Sequence, residues 1–230
     1  FIYKTVSEKV ILVIVAHPDD EVLGCAGTMA RHASEGDEVY VVFMSDGVTS
    51  RTGVESNEVE VRKQAAKDAS NILGMVQSPR FLGFPDNRMD TVALLDIVQT
   101  LEQVINEIEP EVVYTHHSGD LNIDHKITHQ AVMTACRPQP GFCVREIYSF
   151  EVLSSTEWST NNPFIPNYFV DISDTLELKI SAVKAYNSEL RTFPHARSIE
   201  SVKALAKYRG ASVGIRAAEA FKVERLISEI

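Results

Sequence analysis

Every position from residue 10 to residue 16 is apolar and most are β-branched, a run of strand length that closes on Pro18. An uninterrupted run of this kind suits a strand covered on both faces, as in a parallel sheet. Over residues 20–35 the period changes: Leu23, Ala26, Gly27 and Ala30 recur at helical spacing, and Gly36 stands where a helix can end in the left-handed conformation. The alternation then repeats. Residues 38–45, 80–84, 111–115 and 146–152 read as strands, and residues 57–73, 91–108 and 126–136 as helices. Leu94, Leu95, Val98, Leu101, Val104 and Ile105 form the apolar stripe of the 91–108 helix, which Pro110 stops. Residues 138–141 and 154–166 are turn-rich loops. Helical pattern returns over 175–189 and 198–209, with Phe193-Pro194-His195 between them, and no strand is predicted beyond residue 152.

Strand and helix in alternation predict an α/β fold, because parallel neighbours need long crossovers, usually helical, that cover both faces of a mostly parallel sheet. Ligands of such sheets lie beyond the carboxyl ends of the strands. The 230 residues contain no internal repeat, low-complexity tract or linker, so one domain over residues 1–230 is expected. Composition narrows the class further. At 44% hydrophobic and 23% charged the chain is neither disordered nor fibrous. A net charge of −10 without a run of lysine and arginine removes nucleic acid as a partner. The run 10–16 falls far short of the ~20 residues of a membrane helix. Phe1-Ile2-Tyr3-Lys4 does not resemble a secretory signal, so the expectation is a cytoplasmic protein with no membrane span. Cys25, Cys136 and Cys143 are odd in number and lack Cys-x-x-Cys, which predicts reduced thiols in or near the core.

Two clusters follow predicted strands, where the sheet rule puts a site: His17-Pro18-Asp19-Asp20-Glu21, and the His-rich loop from His116 and His117 through Asp120, Asn122 and Asp124 to His125. Zinc accepts imidazole nitrogen and carboxylate oxygen, and a catalytic zinc commonly keeps three protein ligands and one open position. His17, Asp20 and His125 can supply the three. The i, i+3 spacing of His17 and Asp20 lets both point one way across a tight turn, and Pro18 suits the first helical position. Taken alone, the three acids would be explained by the positive end of the helix they precede. That explanation leaves out the histidine at the end of a buried strand and the second histidine loop after another. Ferrous iron also accepts two imidazoles and a carboxylate, so Zn2+ and Fe2+ are both compatible.

The block His17-Pro18-Asp19-Asp20-Glu21 before a helix resembles the opening motif of the LmbE-like/PIG-L family of zinc-dependent N-deacetylases. The resemblance extends to Asp124-His125 after a later strand and, more weakly, to Arg62, Gly74 and Glu219-Ala220-Phe221. It implies a Rossmann-like domain, zinc on His17, Asp20 and His125, and Asp19 as general base in the hydrolysis of an N-acetyl group from an amino sugar or sugar conjugate. Zinc lowers the pKa of a bound water from 15.7 to about 7, which suits that chemistry at neutral pH. In one respect the chain departs from the pattern: many family members have His-x-x-His where this chain has Asn122-Ile123-Asp124-His125. Asn122 donates a hydrogen bond but carries no proton, and His116, His117 and His129 are alternatives for the missing role. Asp124 is expected to orient an imidazole rather than to bind metal. Arg62 can bind a hydroxyl, phosphate or carboxylate, or pair with Glu58. Asp86 can hold a sugar hydroxyl or serve a Pro-Asp-Asn turn. Trp158 can stack on a sugar or anchor its loop, and Cys25 reads as a small packing residue.

The expected partner is thus a small N-acetylated sugar or nucleotide sugar; the oligomeric state is open, a homo-oligomer included. Three other functions fit part of the pattern. A hydratase of an unsaturated carboxylate would keep the metal and release no acetate. A metal-binding protein without turnover would make Asp19 dispensable. A nucleotide-binding Rossmann domain is disfavoured, since Asp19-Asp20-Glu21-Val22-Leu23-Gly24 puts carboxylates where a pyrophosphate needs glycines and amides.

Overall fold

The computed structural model describes residues 8–50 and 57–228, so the reading of Phe1-Ile2-Tyr3-Lys4 lies outside the described residues. The predicted run at residue 10 becomes β1 (Val10–Val15), which pairs in parallel with β2 (Glu38–Phe43) on one side and β4 (Val112–His116) on the other. Beyond β2 lies the two-residue β3 (Arg80–Phe81), and beyond β4 lies β5 (Glu146–Phe150), both parallel to their neighbours. Two strands absent from the sequence reading, β6 (Tyr168–Asp171) and β7 (Ala218–Leu226), complete the sheet antiparallel, in the order β3-β2-β1-β4-β5-β7-β6. The miss has a cause. β7 is written largely in alanine, glutamate, lysine and arginine, which favour helix, and the open edge of β5 overrides that weak local preference.

Among the described residues six α-helices cover the sheet: α1 (Asp20–Glu35), α2 (Glu58–Ile72), α3 (Leu94–Ile108), α4 (Ile123–Ala135), α5 (Leu176–Ala185) and α6 (Ile199–Ala211). β1 shows why its sequence is apolar throughout. Ile11, Val13 and Val15 enter a core with residues of α1, α2, α5 and α6, while Leu12 and Ile14 enter a second core with residues of α3 and α4. Each such aliphatic side chain contributes about 1.5–3 kcal/mol by leaving water. The expected α/β, Rossmann-like architecture with helices on both faces is therefore the one observed. All three cysteines are free thiols; Cys25 and Cys136 are buried and Cys143 is half-buried. No helix among the described residues is long and apolar enough to cross a membrane.

Two features fix the start of α1 over the ends of β1 and β5. A Cβ at Gly24 would stand 2.3 Å from the ring of Phe150, so only glycine permits this approach. One residue later the helix kinks, with Cys25 at φ −143° and ψ 21°. The kink leaves the amides of Gly27 and Thr28 without their usual carbonyls, and the Glu219 carboxylate of β7 accepts both, at 2.9 and 2.7 Å. Lys179 completes the repair by donating to Glu219 and to the carbonyl of Leu23. The chain leaves β1 toward β2 and β3, then returns to build β4 and β5 on the other side. The gap between the carboxyl ends of β1 and β4 is thus the switch point of the sheet, where ligands bind in folds of this kind.

Candidate metal and catalytic site

Both sequence clusters meet at that switch point. His17 leaves the end of β1, and Asp20 opens α1 with its backbone N–H bonded to the carbonyl of His17. Asp19 between them adopts φ 114°, ψ −22°, a conformation that costs a non-glycine residue of order 1–3 kcal/mol and needs support from its surroundings. That support is visible: the Asp19 N–H donates to Glu21 Oε2 at 3.0 Å, and the Asp19 carbonyl accepts from Leu23 at 3.0 Å. His125 comes from the first turn of α4. Asn122 caps that helix, its Oδ1 accepting from the amides of Asp124 and His125 at 2.8 and 3.4 Å.

Asp20 Oδ2 lies 3.3 Å from His17 Nδ1 and 3.2 Å from His125 Nε2. Ligand atoms on a tetrahedral zinc with arms of about 2.0–2.1 Å are about 3.3–3.4 Å apart, so these spacings suit one ion. The other oxygen of Asp20 is buried with no hydrogen-bond partner, a costly state for a carboxylate unless a cation compensates it. A carboxylate also stands behind each imidazole. His17 Nε2 faces Asp124 Oδ2 at 3.1 Å and Asp86 Oδ1 at 3.3 Å; His125 Nδ1 faces Asp120 Oδ1 at 3.1 Å. Carboxylates behind metal-binding histidines fix which nitrogen carries the proton and raise the ligand's basicity. The donor set therefore fits a divalent ion such as zinc.

His17, Asp86 and Asp124 form a second convergent group, and His32, Glu35 and Asp37 a third. In the second, Asp124 already accepts from the amides of Asn87 and Met89, and Asp86 from the amide and hydroxyl of Ser50 and from Asn87 Nδ2. In the third, His32 is engaged at both nitrogens, by Asp37 and by the hydroxyl of Tyr114. Of these three groups among the described residues, only His17, Asp20 and His125 are all buried and include a carboxylate oxygen, Asp20 Oδ1, without a hydrogen-bond partner.

The electrostatics follow from burial among charges. Burial opposes the charged form of Asp20, but the charge of His125, with the hydrogen bonds from His125 and His17, outweighs it and holds its carboxyl well below the usual range. Burial likewise disfavours the charged forms of His17 and His125. Asp124 and Asp20 outweigh it for His17, raising it to about 10, and Asp20 and Asp120 do so for His125, raising it to about 9. Asp19 goes the other way: burial raises it, and Arg197 and Arg62 only partly offset that. His116 is held neutral by burial and by His125, whose ring stacks on it with centroids 3.9 Å apart.

The remaining candidates are placed as follows. His116 Nε2 accepts from the Ala16 amide at 2.9 Å. His117 Nε2 donates to the carbonyl of Asn162 at 2.8 Å, and His129 Nδ1 donates to that of His116 at 2.8 Å. Asn122 Nδ2 donates to Asn87 Oδ1 at 3.1 Å. Arg62 points inward rather than along the surface. Its side chain is 4% exposed, with Nη1 3.1 Å from Glu189 and 3.9 Å from Asp19. Trp158 is exposed, its ring at 80° to that of His195 with centroids 6.3 Å apart.

Sequence reasoning missed Asp120, Glu189 and Arg197. Asp120 was within reach as the one acid in the His-rich loop given no role; Ser155 and Thr156 both donate to it. Arg197 donates from Nη1 to Asp19 Oδ2 at 2.8 Å, across 178 positions of sequence, and no local pattern announces such a contact.

Known proteins resemble the chain in sequence and in fold. Residues 12–136 match the family model PIG-L, described as GlcNAc-PI de-N-acetylase. Over 186 residues the chain is 34% identical to the uncharacterized deacetylase YaiS of Escherichia coli, covering 78% of this chain and 91% of that protein. It is 26% identical over 232 residues to the diacetylchitobiose deacetylase of Thermococcus kodakarensis, covering 93% and 82% respectively. Among solved structures, GalB, the 4-carboxy-2-hydroxymuconate hydratase of Pseudomonas putida, superposes with a TM-score of 0.78 at 23% identity, over 96% of this chain and 99% of that one, a likeness of fold.

Proposed function

Given that the chain belongs to the PIG-L, GlcNAc-PI de-N-acetylase, family, we propose that it hydrolyses the N-acetyl group of an amino sugar or sugar conjugate, giving acetate and a free amine. The observation that carries this reading is Asp20 Oδ2 between His17 Nδ1 and His125 Nε2, with Asp19 immediately before it in the chain. His17, Asp20 and His125 would hold a divalent ion, zinc by the donor set, which when bound supplies Lewis acidity toward water and the amide carbonyl.

The protein's own groups carry the remaining steps. Asp19 takes the proton of the attacking water and returns it to the leaving nitrogen, a double role served by a carboxyl whose pKa burial has raised toward the working pH. Asp124 and Asp120 keep the two imidazoles turned toward Asp20. Arg62, whose Nε has no hydrogen bond, is available to a polar group of the substrate. Asp86 and Asn122 are engaged by Ser50, Asn87 and the α4 amides, so the proposal gives them the upkeep of His17 and of α4 rather than substrate contact. His117, tied to Asn162, is likewise assigned to the loop that borders the site.

The test is acetate release by zinc-loaded protein from N-acetylglucosamine, N,N′-diacetylchitobiose and a nucleotide-linked N-acetylglucosamine, with primary amine measured in the same samples. Acetate and amine should appear in equal amounts from at least one substrate. Asp19→Asn should slow release by about 10²–10⁴-fold while zinc content is retained. Absence of acetate from all three, or an Asp19→Asn enzyme of full activity, refutes the reading. A hydratase would release none.

A further inference from the structure

We propose that Arg197 is a positioning residue for Asp19: its guanidinium engages one carboxylate oxygen and so presents the other for proton transfer. The inference rests on the deacetylase reading, in which Asp19 moves the proton, but its geometry stands independently of the metal. Arg197 Nη1 is 2.8 Å from Asp19 Oδ2, and no described residue hydrogen-bonds to Asp19 Oδ1. The guanidinium is itself fixed. Its Nε donates to the Ser154 hydroxyl at 2.6 Å, and Nη1 lies 3.5 Å from Glu189 Oε2, whose partner oxygen is 3.1 Å from Arg62 Nη1. A planar fork held at two of its nitrogens defines the direction of the third contact, which the single charge of a lysine does not.

The same stretch of chain also reaches the backbone of Asp19. Tyr186, at the end of α5, donates its hydroxyl to Glu21 Oε1 at 2.5 Å, and Glu21 Oε2 accepts from the Asp19 N–H. Asp19 is thus gripped twice from the region between α5 and α6, by its amide through Tyr186 and Glu21 and by its carboxylate through Arg197. The left-handed backbone of Asp19 leaves its side chain little choice of origin, so one contact at Oδ2 suffices to set the plane of the carboxylate. Arg62 is not an equivalent. It stands 3.9 Å from the same oxygen and is committed to Glu189 and the Gly47 carbonyl.

The experiment measures acetate release from N,N′-diacetylchitobiose by the zinc-loaded full chain for wild type, Asp19→Asn, Arg197→Ala and Arg197→Lys, with zinc content and Tm recorded for each. Arg197→Ala should lower kcat about 100-fold, as misplacement of a reacting group by about 1 Å does, with KM and zinc stoichiometry unchanged. Guanidinium chloride at tens of millimolar should restore a large part of kcat in Arg197→Ala and nothing in Asp19→Asn. If Arg197→Ala does not fold, Arg197→Lys, which keeps the charge and loses the fork, is read by the same criteria. Unchanged kcat, loss of zinc, or a defect that guanidinium leaves untouched overturns the proposal. If wild type itself releases no acetate, the deacetylase reading falls, and a crystal structure of Arg197→Ala decides the inference alone. An Asp19 carboxylate in its wild-type orientation overturns it, and a rotated one upholds it.

Discussion

Zinc binding to the metal-free protein is expected to release close to two protons near neutral pH. An imidazole binds a metal only in its neutral form. Without the ion, burial favours neutral rings, yet the surrounding carboxylates prevail, and His17 stands at about 10 and His125 at about 9. Both rings therefore carry a proton at about pH 7, well above where an unperturbed histidine at about 6.5 would lose it. Each must give up that proton to bind, so apparent affinity should rise about 100-fold per pH unit from about pH 7 to about pH 9, a factor of ten for each ring. The rise should flatten above about pH 10. Calorimetric titration of zinc at fixed pH, in buffers of different ionisation enthalpy, counts the protons directly. A count below one half, or an affinity flat over that window, would refute the claim that both rings are ligands facing Asp20. The same shifts act on folding. Because the folded values lie above the unfolded ones, the stabilisation they bring to the metal-free protein is complete below about pH 6.5 and is lost as pH rises through about 9 and 10. Zinc-loaded protein should lack this decline when the two forms are compared by scanning calorimetry.

Three further outcomes follow from particular contacts. His17→Ala should abolish stoichiometric zinc, whereas Asp120→Asn, which weakens only the support behind His125, should lower affinity about 10–100-fold in a chelator competition; equal affinity in Asp120→Asn and wild type would remove that residue from the site. Burial lifts the Glu21 carboxyl from its ordinary 4.5 to about 8, against the bonds from Tyr186 and the Asp19 amide, so its folded value exceeds the unfolded one and stability falls as pH rises across that interval. Glu21→Gln, shaped like the protonated acid, should flatten this part of the urea-measured pH profile, and an unchanged slope would contradict the assignment. Gly24→Ala forces a Cβ to within 2.3 Å of the Phe150 ring and should cost about 1–3 kcal/mol in urea unfolding; a neutral result would mean that α1 rides higher over β5 than the structure has it.

The sequence alone determined the elements whose signal lies within a few residues. The unbroken apolar run of β1 required cover on both faces, the helical spacing after Asp20 set α1, and the i, i+3 pair His17 and Asp20 needed only a tight turn to converge. His125 could be joined to them because it, too, followed a strand end, and parallel strands present those ends on one side. Tertiary structure decided the rest. β7 contradicts its own helix propensity because a vacant strand edge outweighs a few tenths of a kcal/mol per residue. Which ring nitrogen faces Asp20, and which carboxylate stands behind each histidine, depends on loops that β4, β5 and α4 bring together. Asn122 stands where many family members have a histidine, and only the structure shows that its Oδ1 caps α4. The grip of Arg197 on Asp19 joins chain segments with no shared periodicity, so only the closed fold, with the loop entropy of that long separation already overcome, could reveal it.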